Sequence, residues 1–324
     1  MRTLVTGATS LLGRSTVHAL LEAGHDVVVL QRSRCGIDGV TEHLGSIADR
    51  SVVDAAMAGA DAVIHLAAKV DPVGAWAEFE STNVDGAIDV HDAAGRAGVS
   101  RFVHVSSPSV AHDGTSITGA GAMPADPDRA RGFYATSKAI AERALLEAST
   151  AELPVVAIRP HLVIGPGDTQ LIGRILDRAT AGRMPLIGSG LALVDTTWVD
   201  NAADALVAAL RSAPEVAGRA FVVSNGEPRT IHELIERITA AAGIAWSPRR
   251  VPARAAVAGG AVAERVWERT GRHGEPPMTA FGAEQLSTAH WFDQRQTTSA
   301  LGWTPRVTLA EGWERLAAHH RGRG

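Results

Sequence analysis

Tyr134 is the only tyrosine of the chain, and Lys138, four residues on, is one of two lysines among 31 basic residues. Positions i and i+4 of a helix share a face. An ammonium beside a phenol favours the phenolate and draws a reference pKa of about 10 toward the range of a working proton donor. The pair therefore reads as an acid/base couple, the plain alternative being a surface tyrosine beside a surface lysine. A helix is expected over Tyr134–Ala148, because the stretch is rich in helix formers and carries Ile140, Ala144 and Leu145 at helical spacing.

Directly behind the opening strand stands Thr6-Gly7-Ala8-Thr9-Ser10-Leu11-Leu12-Gly13, which opens a helix. Such a loop suits a dinucleotide: Gly7 allows the tight turn, Gly13 lets helix and strand pack closely, and backbone N–H groups meet the pyrophosphate. Gly7, Thr9, Ser10, Leu11, Leu12 and Gly13 are thus candidate cofactor-binding residues. Ser10 takes the place of the usual middle glycine; its side chain either crowds the phosphates or donates to one of them. At the end of the second strand an NAD-selective site carries Asp or Glu for the ribose 2′-OH. This chain has Gln31-Arg32-Ser33-Arg34 there. A guanidinium suits a 2′-phosphate and no carboxylate repels it, so NADP(H) is the expected cofactor.

The elements that must hold these groups alternate. Strands are expected at Thr3–Thr6, Asp26–Leu30, Ala62–Leu66, Arg101–Ser106 and Pro154–Arg159, and helices at Leu12–Ala23, Ser51–Ala58, Glu80–Ala97 and Tyr134–Ala148. That rhythm means an α/β fold with a doubly wound parallel sheet, whose ligands lie at the carboxyl ends of the strands. Beyond Arg159-Pro160 the pattern loosens, with helices expected near Leu171–Ala181, Asn201–Arg211 and Ile231–Ala242. The division expected is residues 1–165 for the cofactor and 166–324 for a smaller, partly interleaved substrate domain, with about 195–225 returning to the first. Trp198, Trp246, Trp267, Trp291, Trp303 and Trp313 all lie in the second part, where they serve a core or a large apolar substrate.

With 324 residues, 45% of them hydrophobic, the chain is long enough for a sizeable core. A formal charge of -4 argues against nucleic acid as a partner. Cys35 is alone, which leaves no disulfide framework and no cysteine zinc site, and no histidine pattern suggests a metal. The first residues enter a strand at once, without room for an export signal, so a cytoplasmic location is expected. The most apolar later run, Ala255–Ala263, is less than half of the roughly 20 residues a membrane span needs and reads as a buried or lid helix.

Thr6-Gly7…Gly13, His65-Leu-Ala67-Ala68, Asn83, Ser106-Ser107, Tyr134-x-x-x-Lys138 and Arg159-Pro160, taken together and in order, resemble the extended short-chain dehydrogenase/reductases. Within them the chain resembles the 3β-hydroxysteroid dehydrogenase branch. More narrowly, Gly165-Pro-Gly-Asp168, Asp195-Thr-Thr-Trp-Val-Asp200-Asn201-Ala202, Ser224-Asn-Gly-Glu-Pro228 and Glu284-Gln-Leu…His290-Trp291 are similar to the 2-alkyl-3-oxoalkanoate reductases of bacterial long-chain olefin biosynthesis.

The resemblance implies that Tyr134 is the acid/base, that Lys138 is its electrostatic partner and a ligand of the nicotinamide ribose, and that Ser107 holds the reacting oxygen. Ser106 and Ser109 remain alternatives to Ser107. It further implies that Asn83 supports the catalytic helix, although an asparagine there also suits an ordinary cap. Ala67, Ala68, Lys69, Pro160, Leu162 and Val163 would line the cofactor, with Ser46 and Ile47 near the adenine. The implied reaction reduces the ketone of an apolar 2-alkyl-3-oxo acid with NADPH. His161, Arg174 and Arg178 are candidates to orient the carboxylate, and the tryptophan-bearing half is expected to supply an apolar trough. A hydroxysteroid dehydrogenase or a nucleotide-sugar epimerase or reductase would share the catalytic residues. A non-catalytic NADP sensor would be expected to lack Tyr134 or Lys138. Homodimerisation and association with other olefin-pathway enzymes stay open.

Overall fold

The computed structural model describes every residue except 72–73, 271–275, 277 and 323–324. Its first part runs β1 (Arg2–Thr6), α1 (Leu11–Glu22), β2 (Asp26–Gln31), β3 (Val40–Leu44), α2 (Arg50–Met57), β4 (Ala62–His65), α3 (Trp76–Phe79), α4 (Gly86–Ala97), β5 (Phe102–Val105), β6 (Ile117–Ala120), α5 (Phe133–Glu147) and β7 (Val155–Pro160). The second part opens with β8 (Val163–Ile164), α6 (Ile172–Thr180), β9 (Leu186–Ile187), β10 (Leu193–Val194), β11 (Thr197–Trp198), α7 (Val199–Ser212) and β12 (Arg219–Val223). It closes with β13 (Arg229–Thr230), α8 (Ile231–Ala241), β14 (Arg250–Val251), α9 (Ala253–Thr270), α10 (Ala280–Gln285), β15 (His290–Phe292), α11 (Arg295–Leu301) and α12 (Leu309–Arg321).

A seven-stranded parallel sheet in the order β12-β7-β5-β4-β1-β2-β3 forms the frame. Its central strands are apolar runs buried on both faces, as a parallel sheet covered by helices on each side requires. One face packs α1 and α7, with Val17, Leu20, Leu206 and Leu210 in its core. The other packs α2, α4 and α5 over Val53, Val90, Phe102 and Leu145. The strand order reverses between β1 and β4, and the loops after these two strands open the ligand crevice.

Three elements of this frame departed from expectation, one being the edge strand β12, for which no strand was expected. Edge strand β3, Val40-Thr-Glu-His-Leu44, has no fully buried residue, so it lacks the apolar run that betrays a strand. The helix expected to open at Glu80 starts at Trp76 and passes through a π-helical stretch at Glu80–Asp85 before resuming as α4. Such π turns are common at functional sites, and Asn83 sits on this one.

A smaller mixed sheet, β13-β10-β15-β6, joins the second part to β6 of the first, and the pairs β8–β11 and β9–β14 lie within the second part. Helices α8 and α12 begin at true caps: Thr230 accepts from the Glu233 amide and Thr308 from that of Glu311. Their core gathers Trp198, Ile175, Leu186, Leu234 and Ile238. Trp198 and Trp303 are buried core residues. The apolar run at Ala255–Ala263 lies on α9, which leaves Val262 exposed and packs against α10. Among the described residues no helix is long and apolar enough to cross a membrane.

Candidate active site

The crevice loops meet with no room to spare. Gly7 has φ +77°, and a Cβ there would stand 2.8 Å from the Ala67 amide nitrogen; one on Gly13 would stand 2.2 Å from the Gly7 carbonyl. Ser10 is the N-cap of α1: its hydroxyl accepts from the Gly13 amide at 3.0 Å and donates to the Gly7 carbonyl at 3.0 Å. The hydroxyl thus closes the turn itself. Thr9 is exposed beside it, and Leu11 and Leu12 form the first turn of α1, whose free N–H groups suit an anion. This cradle fits a dinucleotide pyrophosphate.

At the end of β2, Gln31 is buried and donates to Glu42 on β3 at 2.9 Å, while the Cys35 amide donates to the same carboxylate oxygen at 2.7 Å. Arg32 and Arg34 are exposed. A carboxylate therefore stands next to the loop after all, contributed by the strand that the sequence pattern hid. These amide hydrogen bonds, first that of Cys35, hold Glu42 below its usual range. Ser46 is exposed and caps the Ala48 amide, while Ile47 is buried against Gly86.

Beyond β4, Asn83 ties the loop that carries Ala67, Ala68 and Lys69 to α5. Its amide oxygen accepts from the Lys69 amide at 2.7 Å, and its nitrogen donates to the Lys69 carbonyl at 3.0 Å and to Ser137 at 2.9 Å. Asn83 is no cap. The Lys69 ammonium is engaged by Asp71 at 2.7 Å and Glu78 at 3.1 Å, and Ala67 and Ala68 precede it in the loop. A second buried tie fixes α5: Arg159 on β7 grips Glu142 through two parallel bonds of 2.9 and 2.5 Å, both side chains almost fully buried.

On α5 the Tyr134 phenol lies beside the Ser107 hydroxyl, which in turn accepts from the Ser109 hydroxyl at 2.9 Å. Ser106 is buried, and its hydroxyl meets neither group. Lys138 shares the helix, but its ammonium points to the Val105 carbonyl at 2.7 Å and His104 Nε2 at 3.2 Å. Burial accordingly holds the phenol above its ordinary pKa, with Ser107 pulling the other way, so the expected lowering by Lys138 is not found. Burial also pushes Lys138 down to about 8, against the carboxylate of Glu142.

Past Tyr134 opens a cavity of about 460 Å³. Leu171, Ile175, Met184, Leu234, Leu286 and Phe292, all from the tryptophan-bearing half, make it apolar, while no tryptophan lines it among the described residues. The tryptophans turn away because Trp198 and Trp303 fill cores and Trp246 donates to the Met184 carbonyl. Pro160 and Leu162 line the cavity too, and Val163 follows in β8; Leu162 has φ +40°, a strained geometry for a leucine. Three imidazoles meet in its wall, His112 tilted against His290 at 4.6 Å and His161 stacked on His290 at 6.2 Å. Burial, with His290 adding to it, pushes His161 down to about 3, so it is neutral near pH 7 and supplies no cation. Positive charge comes instead from α6: Arg174 bonds Gln170 at 2.9 Å, and Arg178 has no ion-pair partner among the described residues. Neither His112 nor His290, 178 residues apart, stands in a local motif that marks it for this wall.

Sheet, crevice and catalytic helix define an extended short-chain dehydrogenase/reductase, and residues 3–224 match the NAD dependent epimerase/dehydratase family, to which the chain belongs. It is an NAD(P)-dependent oxidoreductase. Its relatives include the 2-alkyl-3-oxoalkanoate reductase of Stenotrophomonas maltophilia, 40% identical over 98% of this chain and 99% of that one. The reductase of the same name from Shewanella oneidensis is 36% identical over 97% of this chain and 85% of its own. Among solved structures, MoeE5 in complex with UDP-glucose and NAD superposes with a TM-score of 0.77 at 25% identity, covering 100% of this chain and 99% of that one. These relatives make the protein a reductase of this family.

Proposed function

We propose that the protein reduces the ketone of a 2-alkyl-3-oxoalkanoic acid to the 2-alkyl-3-hydroxy acid with NADPH, in the cytoplasm, as a step of long-chain olefin biosynthesis. The observation that carries this reading is the pairing of the Ser107–Tyr134 hydroxyls with an apolar cavity that holds an arginine without a carboxylate partner among the described residues. Residues 1–165 would hold the cofactor and 166–324 mainly shape the substrate. Gly7, Ser10 and the first turn of α1 would bind the pyrophosphate, Arg32 the 2′-phosphate, and Ala67, Ala68, Asn83, Pro160, Leu162 and Val163 would flank the nicotinamide half. NADPH, when bound, supplies the hydride.

The chain's own residues do the rest. Ser107 holds the ketone oxygen by a hydrogen bond, and Tyr134 delivers a proton to it as negative charge develops. A phenol kept protonated by burial suits a donor in the reductive direction. Lys138 supplies positive charge beneath the site, and Arg178 binds the carboxylate while the apolar wall covers the alkyl chains.

The test is NADPH consumption against a 2-alkyl-3-oxo acid, a 3-ketosteroid and a UDP-sugar. Turnover of the keto acid alone supports the reading, and turnover of either rival alone overturns it. In Arg178→Ala the KM for the acid should rise about tenfold or more with kcat little changed, and the methyl ester should not respond. An equal rise for acid and ester would remove Arg178 from carboxylate recognition.

A further inference from the structure

His104 is fully buried at the centre of the sheet, one residue before Val105 and three before Ser107. Its Nε2 stands 3.2 Å from the Lys138 ammonium, and its Nδ1 has no partner. An ammonium has three donors and no acceptor, so His104 Nε2 must accept and the ring proton must sit on Nδ1. A protonated imidazole is ruled out at that spot, since burial and the Lys138 charge both hold His104 well below its ordinary pKa.

The ring is held from behind. His65 is its in-register partner on β4, with ring centroids 5.7 Å apart and planes 20° from parallel. His65 Nδ1 meets the Thr6 hydroxyl at 2.8 Å, and that oxygen also accepts from the Ala67 amide at 3.1 Å. A line of contacts thus runs from the cofactor loops through Thr6, His65 and His104 to Lys138. Val105 takes one of the three ammonium donors and His104 a second, which leaves the third for the catalytic face.

We propose that His104 is a positioning residue: as a neutral acceptor beneath the site it keeps Lys138 protonated and aimed, with Thr6 and His65 fixing its ring. The groups facing Lys138 support this. Glu142, one turn along α5, favours the charged form but is shared with Arg159 of β7; Tyr134 on the same helix is a neutral phenol; His65 and His104 are neutral and come from β4 and β5. Burial opposes the charge, so the loss of one acceptor moves the equilibrium toward the amine.

Because Lys69 and Lys138 are the only lysines, protein carrying [ε-13C]lysine gives two side-chain signals, assigned with Lys69→Arg. In His104→Phe the Lys138 midpoint should fall by about one pKa unit or more, a tenfold change, as expected for losing a hydrogen bond to a charged group. His104→Gln, which keeps an acceptor at nearly the same place, should restore most of it. An unmoved midpoint in folded His104→Phe overturns the proposal. Should that variant not fold, 15N spectra of the wild-type imidazoles decide, His104 being assigned by its loss in His104→Gln; a proton on Nε2 overturns it as well. The assignment of Lys138 as catalytic partner underlies the functional meaning and is tested separately. A shifted lysine midpoint with an unshifted pH profile of kcat would break that assignment while leaving the His104–Lys138 contact standing.

Discussion

On the sheet side of the cleft, polar groups find partners in neighbouring strands and helices: Asn83 with Lys69 and Ser137, Glu142 with Arg159, Lys138 with Val105 and His104. On the cavity side, apolar side chains come from α6, α8, α10 and β15, and the charged groups there are Arg131, Arg174 and Arg178 with Asp71 and Glu264. The first wall is rigid, since each buried bond that fails leaves an unpaired polar group behind. The second is bound mainly by nondirectional apolar contact, which tolerates changes of shape. Chemistry is thereby expected to depend on the sheet side and substrate choice on the cavity side.

The largest effect should come from the reacting hydroxyl. Tyr134→Phe should lower turnover about 10²–10⁴-fold while leaving NADPH affinity nearly intact, because only the proton donor is lost. Near-normal kcat in that variant would dissolve the proposed division of labour. The scaffold of the same wall comes next. Glu142→Ala strands a buried guanidinium and should destabilise the fold by about 3–5 kcal/mol, measured by urea unfolding. A loss within the usual ±0.5 kcal/mol of surface changes would show that the pair does not hold α5.

Acid should loosen both walls through the buried imidazoles. His65 and His161 are pushed down to about 3 and His290 to about 4, against 6.5 unfolded. The unfolded chain therefore binds protons first as pH falls, so the stability is intact above about pH 6.5 and drains away below it toward pH 3. At pH 5 each of the two fully buried rings should account for roughly 2 kcal/mol, and His161→Asn should flatten the curve of Tm against pH. An unchanged slope in that variant would mean His161 is charged in the fold.

The smallest effect is at the cofactor's edge. Arg32→Ala should weaken NADPH by about 10- to 150-fold, for a contact of roughly 1.5–3 kcal/mol, and barely touch NADH. The double variant with Arg34→Ala should lose more. Equal losses for both cofactors would show that Arg32 supports the loop, and Glu42 on the adjoining strand would then set the preference.

Residues near one another in sequence were legible beforehand. The strand–glycine loop–helix at Thr6–Gly13, the i,i+4 pair Tyr134 and Lys138, and the apolar strands β1, β2, β4, β5 and β7 each satisfy a local rule: a tight turn, a shared helix face, a run buried on both sides. Edge strand β3 escaped because a half-exposed strand needs no apolar run, and with it escaped Glu42. The cavity escaped because its wall joins residues from Val70 to Phe292, and only folding puts His112 against His290.

The sequence by itself determined the parallel α/β frame, the dinucleotide cradle and the placement of Tyr134 and Lys138 on one helix, since propensity, turn geometry and periodicity act within a few residues. The tertiary structure alone decided where the Lys138 ammonium points, which histidines stay neutral and what lines the cavity. Burial and the pairing of distant strands set those, and neither is written in any short stretch of chain.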